Sequence, residues 1–316
     1  MNKIICIAGP TASGKTALAV ELAKVLDGEV VSCDSMQVYR YMDIGTAKPT
    51  REEMQGVPHY MLDVADPRED FSVSRYCAQA GPIVEDILRR RKLPIVAGGT
   101  GLYMDSLVAG REFAPFPATG RRQELEERAR KEGIQALYSQ LEQVDPETAA
   151  RLPVGDQKRV IRALEVYLET GKTISQHNRE SRLLPPKFDA FYLALDFESR
   201  QQLYARIDLR VHKMEQAGLL EEIRSLLDMG IPKTCTAMQA IGYKEYLQAL
   251  EGTISMAQAT AQVQQSSRRY AKRQLTWFRR NRDAHWLVRT DKDSPELILH
   301  RARQILREFD KENMVR

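Results

Sequence analysis

The run Gly9-Pro10-Thr11-Ala12-Ser13-Gly14-Lys15-Thr16 follows a short apolar segment, Ile4 to Ala8, and leads into the Ala/Leu-rich segment Ala17 to Leu26. Strand, glycine loop, helix is the context in which a G-x-x-x-x-G-K-[ST] match marks a phosphate-binding loop rather than a chance glycine turn. Glycines let the backbone wrap closely, its N–H groups point inward, and a helix N-terminus favours an anion. Lys15 is then placed to reach the terminal phosphate and the Thr16 hydroxyl to sit on Mg²⁺. A di- or triphosphate is the expected ligand. The loop alone does not specify which one, nor what happens to it.

Outward from this loop, the chain reads as an α/β protein: a parallel sheet flanked by helices, interrupted by an all-helical insertion. Val30 to Cys33 has the character of a buried parallel strand, with Asp34 at its carboxyl end, where ligands bind in open α/β sheets. Asp34 is therefore either a functional carboxylate (an outer Mg²⁺ ligand or a general base) or a turn cap. Pro58 to Val64 suggests a further strand. Leu93 to Ala97 runs into Gly98-Gly-Thr100-Gly-Leu-Tyr103, a second glycine turn on the same edge; it makes Thr100 a hydrogen-bonding candidate, or is simply a tight turn.

From about Phe116 to Pro186 strand signals give way to helical segments, 119–131, 134–144, 146–151 and 157–169, as expected of a subdomain inserted between core segments 1–115 and 187–316. Lys158, Arg159 and Arg162 cluster on one of these helices, either as an anion-binding surface or as a solvated face. Strand character returns at Phe188 to Leu195. The helix after it carries Arg206, Arg210 and Lys213 on one face, either a phosphate clamp or a surface stripe. Ala240 to Glu245 separates two helical stretches and leaves Gly242-Tyr243 looking exposed. Ser266 to Arg282 holds seven cations and no acid, interleaved with Tyr270, Trp277 and Phe278. It reads either as a nucleic-acid footprint or as an amphipathic helix with core aromatics. His285 to Arg289 and Pro295 to Asp310 suggest a last strand and helix.

The chain has 316 residues, 43% hydrophobic and 28% charged, with a net charge of +4. This is globular composition, and no apolar run approaches the ~20 residues that span a bilayer. No signal peptide is expected ahead of the first strand. The four cysteines form no CxxC pair, which argues against a zinc site or a disulfide framework and fits a reducing cytoplasm. Nothing demands more than a monomer.

A phosphate loop of this kind serves a kinase of a small metabolite or nucleotide, a GTPase or ATPase switch, or a transferase that holds the diphosphate of an alkyl donor. The switch fits least, since Thr290-Asp-Lys-Asp293 has the wrong order for a guanine-reading N-K-x-D. A general base at Asp34 and a lid-like insertion keep the kinase in play. A small-metabolite kinase has no need of the basic aromatic helix.

Several motifs together resemble the bacterial tRNA dimethylallyltransferase family: the phosphate loop, Ser32-Cys-Asp-Ser-Met-Gln-Val-Tyr39, Met42-Asp-Ile-Gly-Thr-Ala-Lys-Pro49, Gly98-Gly-Thr-Gly-Leu-Tyr103, Arg162-Ala-Leu-Glu-Val166, Ala240-Ile-Gly-Tyr-Lys244 and Lys272-Arg-Gln-Leu-Thr-Trp-Phe278. The similarity runs from Lys3 to about Arg280. It implies transfer of a dimethylallyl group from dimethylallyl diphosphate to N6 of adenosine 37 beside the tRNA anticodon, in the cytoplasm. It also implies Mg²⁺ on Thr16, charge stabilisation by Lys15 and Arg210, and proton acceptance or orientation at Asp34 with help from Thr100. Contacts to the anticodon stem-loop would come from Asp34, Ser35, Met36, Gln37 and Thr100, and from Lys158, Arg159, Val160, Ile161 and Arg162 with the basic 268–282 helix. The family's nucleotide-binding label follows from the loop, and no ATP is consumed on this mechanism. The zinc-finger extension of eukaryotic relatives is not expected here, given the cysteine spacing.

Overall fold

The computed structural model describes residues 2–111, 119–183 and 185–314. In chain order the strands are β1 (Lys3–Ala8), β2 (Gly28–Ser32), β3 (His59–Tyr60), β4 (Leu93–Gly98), β5 (Asp189–Phe197) and β6 (His285–Arg289). The helices are α1 (Lys15–Val25), α2 (Arg51–Met54), α3 (Val73–Arg89), α4 (Gly101–Val108), α5 (Arg121–Glu132), α6 (Ile134–Val144), α7 (Pro146–Ala149), α8 (Gln157–Thr170), α9 (Ile174–Leu183), α10 (Arg200–Gln216), α11 (Leu219–Asp228), α12 (Tyr243–Leu250), α13 (Met256–Phe278) and α14 (Pro295–Met314). Two compact units result, Met1–Gly110 with Lys187–Arg316, and Arg111–Pro186. The boundary expected between residues 115 and 116 lies outside the described residues.

The first unit is built on a six-stranded sheet in the order β3-β2-β4-β1-β5-β6, every pair parallel. Alternation along β1 shows why both faces are covered. Ile4, Cys6 and Ala8 enter the apolar layer shared with α3, α4, α11, α12 and α13, whereas Ile5 and Ile7 enter the layer shared with α1 and α14. Ile7 and Leu22 are fully buried, each contributing roughly 2 kcal/mol by removal from water. Ala8 pairs with Gly98 and Ser32 with Ala97, so β2, β4 and β1 end side by side. That register delivers Asp34, the Gly98–Thr100 turn and the Gly9–Thr16 loop to one sheet edge. No helix among the described residues is long and apolar enough to cross a membrane.

The expected strand over 58–64 shrinks to His59–Tyr60, because Met61 and Asp63 adopt positive φ of 63° and 57° and turn the chain away from the ladder. Tyr243 is not exposed. Its ring occupies the space that a side chain on Gly45 would need, 2.5 Å from the would-be Cβ, and its hydroxyl donates to Glu222 at 2.6 Å. Glu222 also accepts the N–H groups of Asp43, Ile44 and Gly45 at 2.8, 2.7 and 3.1 Å, tying this loop to α11 and α12.

The second unit is helical and has its own core around Leu125, Leu137, Leu141, Val160, Ile161 and Leu164. Asp156 caps α8 by accepting the Arg159 N–H, and Gly171 ends it in the left-handed region. Val160 and Ile161, expected among the tRNA contacts, have their side chains buried at 0% and 2% exposed. They anchor α8 to its neighbours and leave the flanking cations on the outer face.

Candidate active site

The phosphate loop is held in shape by its own backbone and by three side chains from distant segments. Gly14 takes φ of 92° as the residue before α1, and a Cβ on Gly9 would stand 2.8 Å from the Leu195 carbonyl oxygen, so both positions require glycine. Arg206 Nε donates to the Ala12 carbonyl at 3.2 Å and Arg289 Nη1 to the Ser13 carbonyl at 3.4 Å. Both guanidiniums lie 5.4 Å from the centroid of Phe197. Satisfying these carbonyls from outside suits a loop whose N–H groups serve an anion. The Thr11 N–H donates to Gln274 Oε1 at 2.8 Å.

A cavity of about 420 Å³ opens on this edge. One part of its wall is polar: Thr11, Lys15 and Thr16 from the loop, Asp34 and Ser35 after β2, and Arg210 from α10. Another part is apolar, with Ile207, Val211, Met214, Ile241 and Val263. Lys15 donates to the Pro10 carbonyl at 2.7 Å. Burial, and then the like charge of Arg210, bring Lys15 down to about 7, against a smaller upward pull from Asp34. Burial likewise lowers Arg210, again opposed by Asp34. The site thus concentrates positive charge beside one carboxylate, ready for an anion.

Asp34 caps a turn and also lines the cavity. Its Oδ1 caps the turn by accepting the N–H of Met36 at 2.8 Å and of Gln37 at 3.4 Å, while the residue still lines the cavity. Thr100 stands against Ser35: its Oγ1 accepts the Ser35 N–H at 3.0 Å and lies 3.4 Å from Ser35 Oγ. Tyr270, whose hydroxyl burial raises above its usual range, also lines the cavity. Gln37 is engaged at both ends of its amide, accepting from Ser32 Oγ at 3.0 Å and donating to the Ala47 carbonyl at 3.0 Å. In this state it braces the 46–47 loop.

The arginine face of α10 divides. Arg206 holds the loop backbone, Arg210 lines the cavity, and Lys213 is exposed. On α13, Arg268 pairs with Asp208 at 2.6 Å; just past its end Arg279 pairs with Asp196 at 3.0 Å and Arg280 stacks on Trp277 at 3.8 Å. Trp277 donates to Asp105 at 2.8 Å, so this aromatic belongs to the fold. Arg269 and Lys272 are exposed, and Arg273 lines the cavity with Tyr270 and Ser267. In the helical unit Arg159 is largely exposed and 3.2 Å from Asp156, and Arg162 pairs with Glu165 at 2.8 Å. Sequence reading missed Gln274 and Lys244 as wall residues. Gln274 lies four residues after Tyr270, and that helical spacing was the available signal.

Residues 37–281 match the family described as IPP transferase, and residues 2–67 match isopentenyl transferase. The chain is 44% identical to the tRNA dimethylallyltransferase of Acetivibrio thermocellus, across 98% of this chain and 99% of that one. It is 48% identical to the tRNA dimethylallyltransferase of a Thermoanaerobacter species, across 88% and 89%. Among solved structures, the full-length tRNA isopentenylpyrophosphate transferase of Bacillus halodurans has a TM-score of 0.74 at 40% identity, covering 100% of this chain and 99% of its own. A eukaryotic dimethylallyltransferase acting on tRNA has a TM-score of 0.85 at 31% identity, covering 99% of this chain and 80% of its own. On matches of this length and identity, the chain belongs to the IPP transferase family.

Proposed function

We propose that this chain transfers a dimethylallyl group from dimethylallyl diphosphate to the exocyclic N6 of adenosine 37 in tRNA, releasing diphosphate. The observation that carries this reading is the two-sided cavity, in which Lys15, Thr16 and Arg210 share one enclosure with Ile207, Val211 and Met214. A small apolar group bearing a diphosphate matches both walls.

In the transfer, the C–O bond to diphosphate breaks with its electron pair, and the N6 lone pair forms the new N–C bond. N6 then loses a proton. Lys15 and Arg210 stabilise the charge that develops on the leaving group. Asp34 orients the amine or accepts its proton. Thr100, through Ser35, fixes the backbone that follows Asp34. The target base must leave the anticodon-loop stack to reach the cavity. Lys158, Arg159 and Arg162 with the exposed cations of α13 bind backbone phosphates and so position the RNA.

Thr16 and Asp34 offer oxygen donors to the same cavity and fit Mg²⁺, which takes few protein ligands and completes its shell with water and substrate phosphate. When bound there, Mg²⁺ would neutralise charge on the leaving diphosphate. The test is incubation with bulk tRNA, dimethylallyl diphosphate and Mg²⁺, followed by nucleoside mass analysis. Prenylated adenosine formed without ATP supports the reading. ADP formation with a small acceptor and unmodified tRNA would favour a kinase instead.

A further inference from the structure

Gln274 is a buried polar residue on α13, 5% exposed, and it joins two loops of the site. Its Oε1 accepts the Thr11 N–H at 2.8 Å, and its Nε2 donates to the Gly99 carbonyl at 3.0 Å. Both partners are main-chain groups, one only a donor and the other only an acceptor, so an uncharged amide suits the pair. A carboxylate oxygen would face the Gly99 oxygen, and an apolar side chain would leave both groups unsatisfied. The fit is close: a Cβ on Gly99 would stand 2.0 Å from Nε2. Gly99 therefore admits the amide only because it has no side chain.

The same face of α13 makes a further attachment. Trp277, three residues later, fills the space over Gly101, 2.2 Å from a would-be Cβ. The glycines at 99 and 101 thus serve the docking of one helix face. Gln274 is the member of that face that also reaches the phosphate loop.

We propose that Gln274 is a positioning residue for the transfer, fixing Thr11 of the phosphate loop relative to the Gly99–Thr100 turn. It thereby sets the diphosphate-holding wall of the cavity relative to the wall carrying Asp34 and Ser35. The inference rests on the function proposed above and adds to it a residue that acts through two loops.

Gln274→Glu gives a readout that a general packing role would not move. Deprotonated, the glutamate keeps the Thr11 bond but opposes the Gly99 oxygen; protonated, it restores both bonds. Transfer by Gln274→Glu relative to wild type should be down roughly tenfold at pH 8 and recover several-fold by pH 6. Gln274→Met, similar in volume, should be impaired at both pH values through kcat and KM for dimethylallyl diphosphate, with anticodon stem-loop affinity unchanged. Thermal melts at each pH keep the comparison to folded protein. A variant-to-wild-type ratio that stays flat with pH, or a Gln274→Met enzyme with wild-type kcat and KM, overturns the proposal. Absence of transfer by the wild type would instead overturn the function, so the two failures are distinguishable.

Discussion

Lys15 and Arg210 are like charges on the wall of one cavity, each drawn upward by Asp34 and downward by burial, and in Lys15 the downward pull wins, leaving it at about 7. The pair is poised for an anion. Binding of dimethylallyl diphosphate, an ester already fully ionised at pH 8, favours the charged lysine, so its bound pKa lies above its free value and binding above pH 7 draws a proton from solution. Calorimetry of dimethylallyl diphosphate binding in buffers of different ionisation enthalpy should show more proton uptake at pH 8 than at pH 6. In steady state, kcat/KM for the donor should fall above about pH 7, while kcat, reporting the complex, holds to higher pH. Equal uptake at both pH values would contradict this assignment of Lys15.

Asp34 lines the cavity yet uses one oxygen to hold the turn to Gln37. Asp34→Asn keeps an acceptor for that turn and removes the charge and the proton acceptor. Turnover should fall about 10²–10⁴-fold with tRNA affinity little changed. Loss of tRNA binding with turnover per bound complex preserved would assign Asp34 to recognition instead.

Gly98 packs against the end of β2 so closely that a Cβ would lie 1.9 Å from the Cys33 carbonyl oxygen. Backbone on both sides cannot yield as a flexible side chain would. Gly98→Ala should cost at least about 2 kcal/mol in denaturant unfolding. A variant as stable as wild type would show that β2 and β4 separate more easily than their register implies.

Arg159 and Arg162 sit on the outer face of α8, each with a nearby carboxylate partner. If they grip RNA backbone, either alanine variant should weaken tRNA binding and make log affinity fall less steeply with log salt. The slope should change by roughly 0.7–0.9 for each phosphate that is no longer neutralised. Filter binding at four salt concentrations measures this. An unchanged slope for both variants would remove α8 from the RNA interface.

Much of this architecture was legible in the residues. Gly9 to Thr16 announced a loop between strand and helix because it needs only local chemistry, and the edge position of Asp34 followed from parallel-sheet geometry. Helix 134–144 and strand 285–289 have the bounds their patterns suggest. What escaped was long-range or conformational. The partners of Gln274 lie 263 and 175 residues away, beyond any local pattern. Tyr243 looked exposed beside Gly242, but Glu222 and Gly45 draw it inside. Helix α13 begins at Met256, ten residues before the basic run at 266–282, behind a Ser255–Gln258 capping box. Helix 174–183 carries too polar a sequence to stand out.

On the proposed function, this cavity joins a prenyl group to an RNA base. The most direct measurement uses one tRNA transcript with adenosine at position 37, dimethylallyl diphosphate and Mg²⁺, with no nucleotide triphosphate, followed by nuclease digestion and fragment mass mapping. One dimethylallyl addition should appear, confined to the fragment containing adenosine 37, with one diphosphate released per addition. An unmodified transcript, or a prenyl group on a different nucleotide, would contradict the claim.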